Sequence, residues 1–435
     1  MSETHSHYVR TTMLPQSEPP SSQVGAIRWG RENLFSSPLN AILTILSLYV
    51  VYTVLSHVGP WLVNGIWDAG SLTECREIIA ATGDGHHSAA CFGVITARWH
   101  QLVFGYYPSE LYWRPILALV VFFVGIAPIM FPSLPRKLYI VTLAAPLLCF
   151  WLLWGGSIWF PVSIALGFGV GVVVHKLLDA NVSSLAAIIG AIVLPILFWL
   201  YAAGPIASWL DSVIPLGIEF VPSRSFGGFM LSIVIGLSAI VISLPLGILL
   251  ALARRSDLFI IKTCSIVFIE VIRGIPLIVW LFTAQLLLNY FLPPGSSFDL
   301  TLRVIIMVTL FASAYIAEVI RGGLAALPKG QYEGADSLGL NYWQSMQLIV
   351  LPQALKISIP GIVNTFIGLF KDTTLVLFIG LFDPLGIASA IRATTEWNGI
   401  YWELFLFIGI MFFISCFSMG RYSLYLEKKL QREHR

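Results

Sequence analysis

From Pro38 onward the chain is a succession of apolar runs, each about 20 residues long, separated by short polar stretches. Runs of that length predict membrane-spanning helices, and their continuity argues against the alternating pattern of a transmembrane barrel. Ten segments qualify, at 38–58, 114–132, 138–154, 158–176, 184–204, 228–251, 264–290, 301–320, 357–381 and 402–420. Residues 1–36 are polar and rich in Ser and Pro, the pattern of a disordered tail rather than of a cleaved signal. Ten spans place both termini on one side. Lys and Arg gather on that side, at Arg136, Lys137, Lys176, Arg254, Arg255, Lys262, Arg321, Lys329, Lys356 and the tail 421–435, which predicts that both termini are cytoplasmic.

Composition narrows the class further. The 435 residues are 57% hydrophobic and 11% charged, far below the roughly 25% charge of soluble proteins. A net charge of +2 gives no footprint for nucleic acid. The expected fold is an all-α integral membrane protein. Cys149, Cys264 and Cys416 lie in apolar runs, whereas Cys75 and Cys91 share the outer loop 59–113. An oxidising compartment favours a bridge there, stabilising the loop by about 3 kcal/mol; two free thiols are the alternative. His86 and His87 in the same loop have no second ligand pair, so no metal site is expected.

The chain divides into an accessory bundle of five helices over 37–204, an outer linker over 205–225 carrying Pro215 and Pro222, a core over 226–420 and the tail 421–435. The first bundle has almost no ionisable group inside a span. The core carries Glu270, Arg273, Glu318, Lys371 and Asp372 within or beside apolar runs, and charges there default to a functional role. A zwitterion needs a cation for its carboxylate and an acceptor for its ammonium. Lys371 and Asp372 supply both, with Thr373 and Thr374 following to satisfy an unwound backbone. The alternative is a structural pair between Lys371 and Glu270 or Glu318. An internal echo, Glu270-Val-Ile-Arg273-Gly274 and Glu318-Val-Ile-Arg321-Gly322, sets each acid three residues from an Arg, so that each copy can pair within itself.

Between the eighth and ninth spans lies a polar inner loop, 321–356. Pro328 can open a helix that Gly339 ends in a left-handed cap, and Asn341 with Gln344 can cap a second helix that Pro352 closes. Its spacing, Glu333-Gly334-Ala335, then Gly339, then Ile349 and Leu351-Pro352, resembles the EAA loop of ATP-binding-cassette importer permeases. Arg273-Gly274 with Pro276, Arg321-Gly322-Gly323, Asn364 and Lys371-Asp372-Thr373-Thr374 extend the resemblance to the polar amino-acid branch of that family, over Phe226 to Tyr425. With its added N-terminal spans the chain looks like the longer M-type permeases of bacterial general L-amino acid transport systems. Two departures stand out: Gly334 replaces the usual Ala, and Pro384 follows Asp383 where Leu is more usual.

The resemblance implies a type I importer permease in the bacterial inner membrane. It would receive L-amino acids from an external binding protein, pair with a second permease subunit, most readily a different chain, and be driven by separate ATPase subunits. It also implies that Gln331, Glu333, Gly334, Ala335, Asp336, Gly339, Leu351 and Pro352 form the ATPase-coupling loop, and that Lys371, Asp372, Asn364, Glu270 and Glu318 serve the substrate. No phosphate-binding G-x-x-x-x-G-K-[ST] motif is present, so ATP is expected on the partner ATPase and no cofactor on this chain. An ion-coupled secondary amino-acid transporter is the competing class, but it would leave the inner loop without a task and favours similar halves. A membrane enzyme is the third reading, and no nucleophile–base pair appears in the spans.

Overall fold

The computed structural model of the chain describes residues 25–81, 89–131, 134–286, 290 and 299–432. His86, His87, most of the expected N-terminal tail and the end of the expected seventh span lie outside these residues. Two compact units are formed.

The first unit comprises the described residues up to Ala69 together with Thr73–Gly93. It contains α1 (Gly25–Asn33), α2 (Pro38–Val63) and most of α3 (Leu72–Ala81). Ser37 opens α2 by accepting the N–H of Asn40, with Pro38 in the first turn, where a missing donor costs nothing. No residue of α2 is buried, as suits a helix facing lipid. It runs five residues beyond the expected end at 58, continuing through Pro60. Cys75 and Cys91 are joined in a disulfide across a Cα–Cα distance of 6.1 Å, and both are buried. Treatment of the folded, unreduced protein with an impermeant maleimide is therefore expected to leave both unlabelled in peptide maps. Labelling at both positions without reductant would count against the bridge.

The second unit holds Gly70–Leu72 and Val94–Arg435. Its elements are α4 (Gly93–Phe104), α5 (Trp113–Met130), α6 (Tyr139–Trp154), β1 (Gly156–Ser157), α7 (Trp159–Asn181), α8 (Ser184–Leu197), α9 (Ala203–Val213) and β2 (Gly217–Ile218). They are followed by α10 (Gly228–Arg254), α11 (Phe259–Gly274), α12 (Leu277–Leu286), α13 (Leu300–Ala325), α14 (Gly330–Ser337), α15 (Tyr342–Ser345), α16 (Leu351–Asp372), α17 (Pro384–Arg392) and α18 (Trp402–Arg432). Among the described residues nine helical stretches are long and apolar enough to cross a membrane, or ten if α11 and α12 count as one. The protein is an all-α integral membrane protein. Helix α13 is its centre, packed against α10, α11, α12 and α16.

Three expectations are corrected. The span expected at 184–204 continues through a π-turn at 198–202 into α9 and ends at Val213, since Pro205 falls in the first turn of α9 and does not stop the chain. What remains of the 205–225 linker is packed rather than free. Its β2 pairs with β1, Arg114 donates to the Glu219 carbonyl at 2.6 Å, and the Val221 N–H reaches the Trp154 carbonyl. One apolar core runs from Phe104, Tyr107 and Trp154 through Phe226 into α10 and α13. The join depends on backbone approach: Gly105, at φ 67°, lies against Gly227, and Gly228, at φ 58°, lies against the Leu102 carbonyl, so a side chain at Gly105 or Gly228 would collide with main chain.

The span expected over 264–290 is broken. Ile275 is extended ahead of Pro276, as a residue preceding proline prefers, and α11 and α12 meet at a bend of 101°. One side chain spans the break, Trp280 donating to the Ile272 carbonyl, while further along α12 Arg303 donates to the carbonyls of Ala284 and Gln285. The described part of α12, 10 residues, is roughly 15 Å long. The third correction concerns Pro352, expected to close the second loop helix. It lies instead in the first turn of α16, and a π-turn at 346–350 absorbs its missing donor, so helical chain runs from Tyr342 to Ile379.

At the end of the core opposite the inner loop, Asp383 opens α17 by accepting the Gly386 N–H at 2.8 Å, with Pro384 in the first helical position. The other carboxylate oxygen, Oδ2, is buried without a hydrogen-bond partner. Burial pushes the Asp383 carboxyl up to about 6, against the opposing pull of the Gly386 and Leu385 N–H groups. A raised carboxyl favours the folded state in its protonated form, so this contribution is complete below about pH 4 and is lost as pH rises to about 6. Asp383→Asn keeps a capping oxygen without the charge. Its thermal stability relative to the parent is expected to rise between pH 4 and pH 7, by an amount on the order of 2 kcal/mol. A difference that does not change with pH would contradict this.

Candidate functional site

The five expected substrate residues separate into two groups. Glu270 of α11 and Glu318 of α13 meet near the end of α10, where Arg254 Nη1 donates to Glu270 Oε1 at 2.9 Å and to Glu318 Oε2 at 3.0 Å. Arg273 approaches Glu318 at 3.6 Å, and Arg321 also donates to it. The echoed motifs thus behave differently. The second copy pairs within itself, whereas in the first Glu270 turns to Arg254 and Arg273 turns to Glu318. Glu318, with only 19% of its side chain exposed, is the hub and its oxygens are taken by three guanidiniums; Glu270, at 54%, sits at the rim. This arrangement locks α10, α11 and α13 together and leaves little of Glu318 for a ligand.

Lys371, Asp372 and Asn364 occupy α16 at another depth. A side chain on Gly236 of α10 would meet Phe370 at 2.8 Å, which sets the Lys371 level roughly 27 Å along α10 from Arg254. No pair between Lys371 and Glu270 or Glu318 is possible at that separation. Neither Lys371 nor Asp372 has an ion-pair partner within 4 Å among the described residues. Asn364 and Lys371 are both exposed and seven residues apart, hence on one face of α16, while Asp372 is half-buried on another. The Thr373 and Thr374 hydroxyls donate to the carbonyls of Phe370 and Lys371, where the α-helix gives way to a 3₁₀ turn over 373–379. Behind them Phe229, Phe370 and Phe412 form an edge-to-face cluster that fixes this part of α16.

The polar loop over 321–356 folds as a docked pair of short helices. Helix α14 closes in a Schellman motif: Gly339 is left-handed at φ 69°, its N–H reaches the Asp336 carbonyl at 2.9 Å and the Leu340 N–H reaches Ala335 at 3.2 Å. Asn341 and Gln344 form the reciprocal capping box that opens α15. Ala335 is buried, Gln331 accepts from Gln353 at 2.8 Å, and Arg255 donates to the Tyr332 hydroxyl at 2.9 Å. These residues face the protein. Glu333, Gly334, Asp336 and Gly339 face outward, beside the exposed apolar side chains of Leu338 and Trp343. Gly334 has open space where a Cβ would stand, so the departure from Ala costs only helix propensity, about 1 kcal/mol. Leu351 and Pro352 lie at the base of the loop, in the first turn of α16. Arg254, Arg303 and the Arg255–Tyr332 pair were not singled out by sequence reasoning; their partners stand 16 to 77 residues away, and no local pattern marks them.

Comparison with known proteins gives a consistent picture. Residues 243–432 match the model of the family described as binding-protein-dependent transport system inner membrane component. The chain is 57% identical to the glutamate/glutamine/aspartate/asparagine transport system permease protein BztC of Rhodobacter capsulatus, over 100% of both chains. It is 37% identical to the inner membrane amino-acid ABC transporter permease protein YhdY of Escherichia coli, over 93% of each. A crystal structure of an amino acid ABC transporter with histidines is 30% identical and covers 46% of this chain and 90% of its own, with a TM-score of 0.41.

Proposed function

Because the chain belongs to the amino-acid permeases of ATP-binding-cassette importers, we propose that Lys371, Asp372 and Asn364 form part of its amino-acid site and that the loop from Gln331 to Leu351 couples that site to ATP hydrolysis. The chain is a permease subunit of the inner membrane and not itself an enzyme, and ATPase and binding-protein partners go with the family. Its substrates, on this reading, are acidic amino acids and their amides, the class named for its full-length relative. The Lys371 ammonium would take a carboxylate and Asp372 the α-ammonium, with the exposed Asn364–Lys371 face turned toward a second, different permease chain that shields it from lipid. Both termini and the coupling loop would be cytoplasmic, with ATP held by the ATPase and no cofactor on this chain.

The observation that carries the reading is the loop itself: α14 is anchored from below by Ala335, Gln331 and Tyr332, while Glu333, Leu338 and Trp343 are left uncovered at the tip. Reconstitution of the chain with its co-purifying subunits and a binding protein in vesicles tests it. Uptake of glutamate, glutamine, aspartate and asparagine should require ATP and survive dissipation of proton and sodium gradients. Uptake driven by an ion gradient without ATP would overturn the assignment in favour of a secondary transporter.

A further inference from the structure

A groove of about 570 Å³ lies between α7 and α8, away from both sites described above. Gly171 and Pro195 make its floor, and they pack so closely that a side chain on Gly171 would meet Pro195 at 3.0 Å. At its deep end stands Trp199, pinned by donation of its ring N–H to the Ile164 carbonyl at 3.0 Å. The walls are apolar, with Val172 and Ile192 more than half exposed on the membrane-facing surface. The mouth is different: His175 and Lys176 line it, both are exposed, and neither has a hydrogen-bond or ion-pair partner among the described residues. The nearby acid, Asp179, lies one turn further toward the end of α7.

Position in the membrane selects the occupant. Helix α6 ends, and α7 begins, at the side where Trp154 meets Val221, so Asn181 ends α7 on the side of Arg254 and the inner loop. Lys176 is five residues from that end, at interfacial depth, where a lysine reaches the headgroup level. From Lys176 to Phe168 the groove runs roughly 12 Å, close to the 15 Å half-thickness of a bilayer core. An apolar channel one leaflet deep, topped at headgroup height by the unpartnered Lys176 ammonium and the His175 ring, matches one acyl chain with a phosphate above it. We propose that this groove is a specific site for a glycerophospholipid of the leaflet on the coupling-loop side, its acyl chain lying between α7 and α8 and its phosphate held by Lys176 and His175.

The test uses the full chain purified with its associated subunits. Native mass spectrometry of the mildly extracted complex is expected to show one retained phospholipid per chain. After extended detergent washing, titration with phosphatidylglycerol or phosphatidylethanolamine should restore the lipid and raise the melting temperature. A His175→Gln/Lys176→Gln variant should require about tenfold more lipid for the same occupancy, Lys176→Arg should bind as the parent does, and Ile192→Trp, which fills the channel, should abolish retention. Equal retention in the parent, the double variant and Ile192→Trp would overturn the site. Saturation by inorganic phosphate at millimolar concentration, without lipid, would overturn the acyl-chain assignment.

Discussion

Gly339→Val is expected to uncouple the transporter while leaving its spans inserted. The residue is left-handed at φ 69°, and its missing Cβ faces open space, so the whole cost of a side chain is backbone conformation and none of it collision. For an L-residue that cost is about 2 kcal/mol, and a branched side chain makes the position a genuine outlier. The cheaper outcome is for the Schellman closure to open, which moves Leu338 and the capping box of α15 out of register with α14. ATPase retention should fall by roughly tenfold or more, and transport with it. Gly339→Asn, which tolerates the left-handed region, should retain most of both. Co-purification of the ATPase and vesicle uptake, measured on both variants, decide the matter: undisturbed retention and uptake in Gly339→Val would remove the loop from the coupling role.

The second large effect concerns Lys371→Met. If Lys371 holds a substrate carboxylate, losing a charge-assisted contact should cost about 3 kcal/mol, or roughly a hundredfold in apparent affinity. The structure sharpens what else should happen. Among the described residues Lys371 has no acidic partner within 4 Å, and it stands far from Glu270 and Glu318, so its removal breaks no ion pair. Complex yield and melting temperature should therefore stay at the parent level while affinity falls. Unchanged affinity, or a collapse in yield with affinity intact, would assign Lys371 to assembly instead.

The features readable from sequence are those set by neighbours within a turn. Gly339 and the Asn341–Gln344 pair could be read because capping is local chemistry, completed within five residues. The break at Pro276 could not. Pro245 and Pro360 lie within α10 and α16, and there the helix continues, so proline in an apolar run does not decide between a bend and a straight span. At Pro276 the bend is bridged by Trp280, whose ring N–H reaches back to the Ile272 carbonyl. The charged core was legible as a set of residues but not as a set of pairs. Spacing alone joined Glu270 to Arg273, whereas Arg254, seen only as an inner-side charge, collects both acids once α10, α11 and α13 pack.

The glycine joint at Gly105, Gly227 and Gly228 bears on how far this chain can be divided. The match to the permease family lies in the C-terminal half of the chain. That alone would place the start of a minimal version at Phe226. Here, however, Phe226 is fully buried against Tyr107 and Trp154, and Gly228 against the Leu102 carbonyl. Cutting before Phe226 would uncover an apolar seam and leave two glycines without the main chain they were shaped to meet. Helices α4 to α9 are thus one piece with those that follow: the surface through which they join belongs to the core, and truncation there would open it to solvent or lipid.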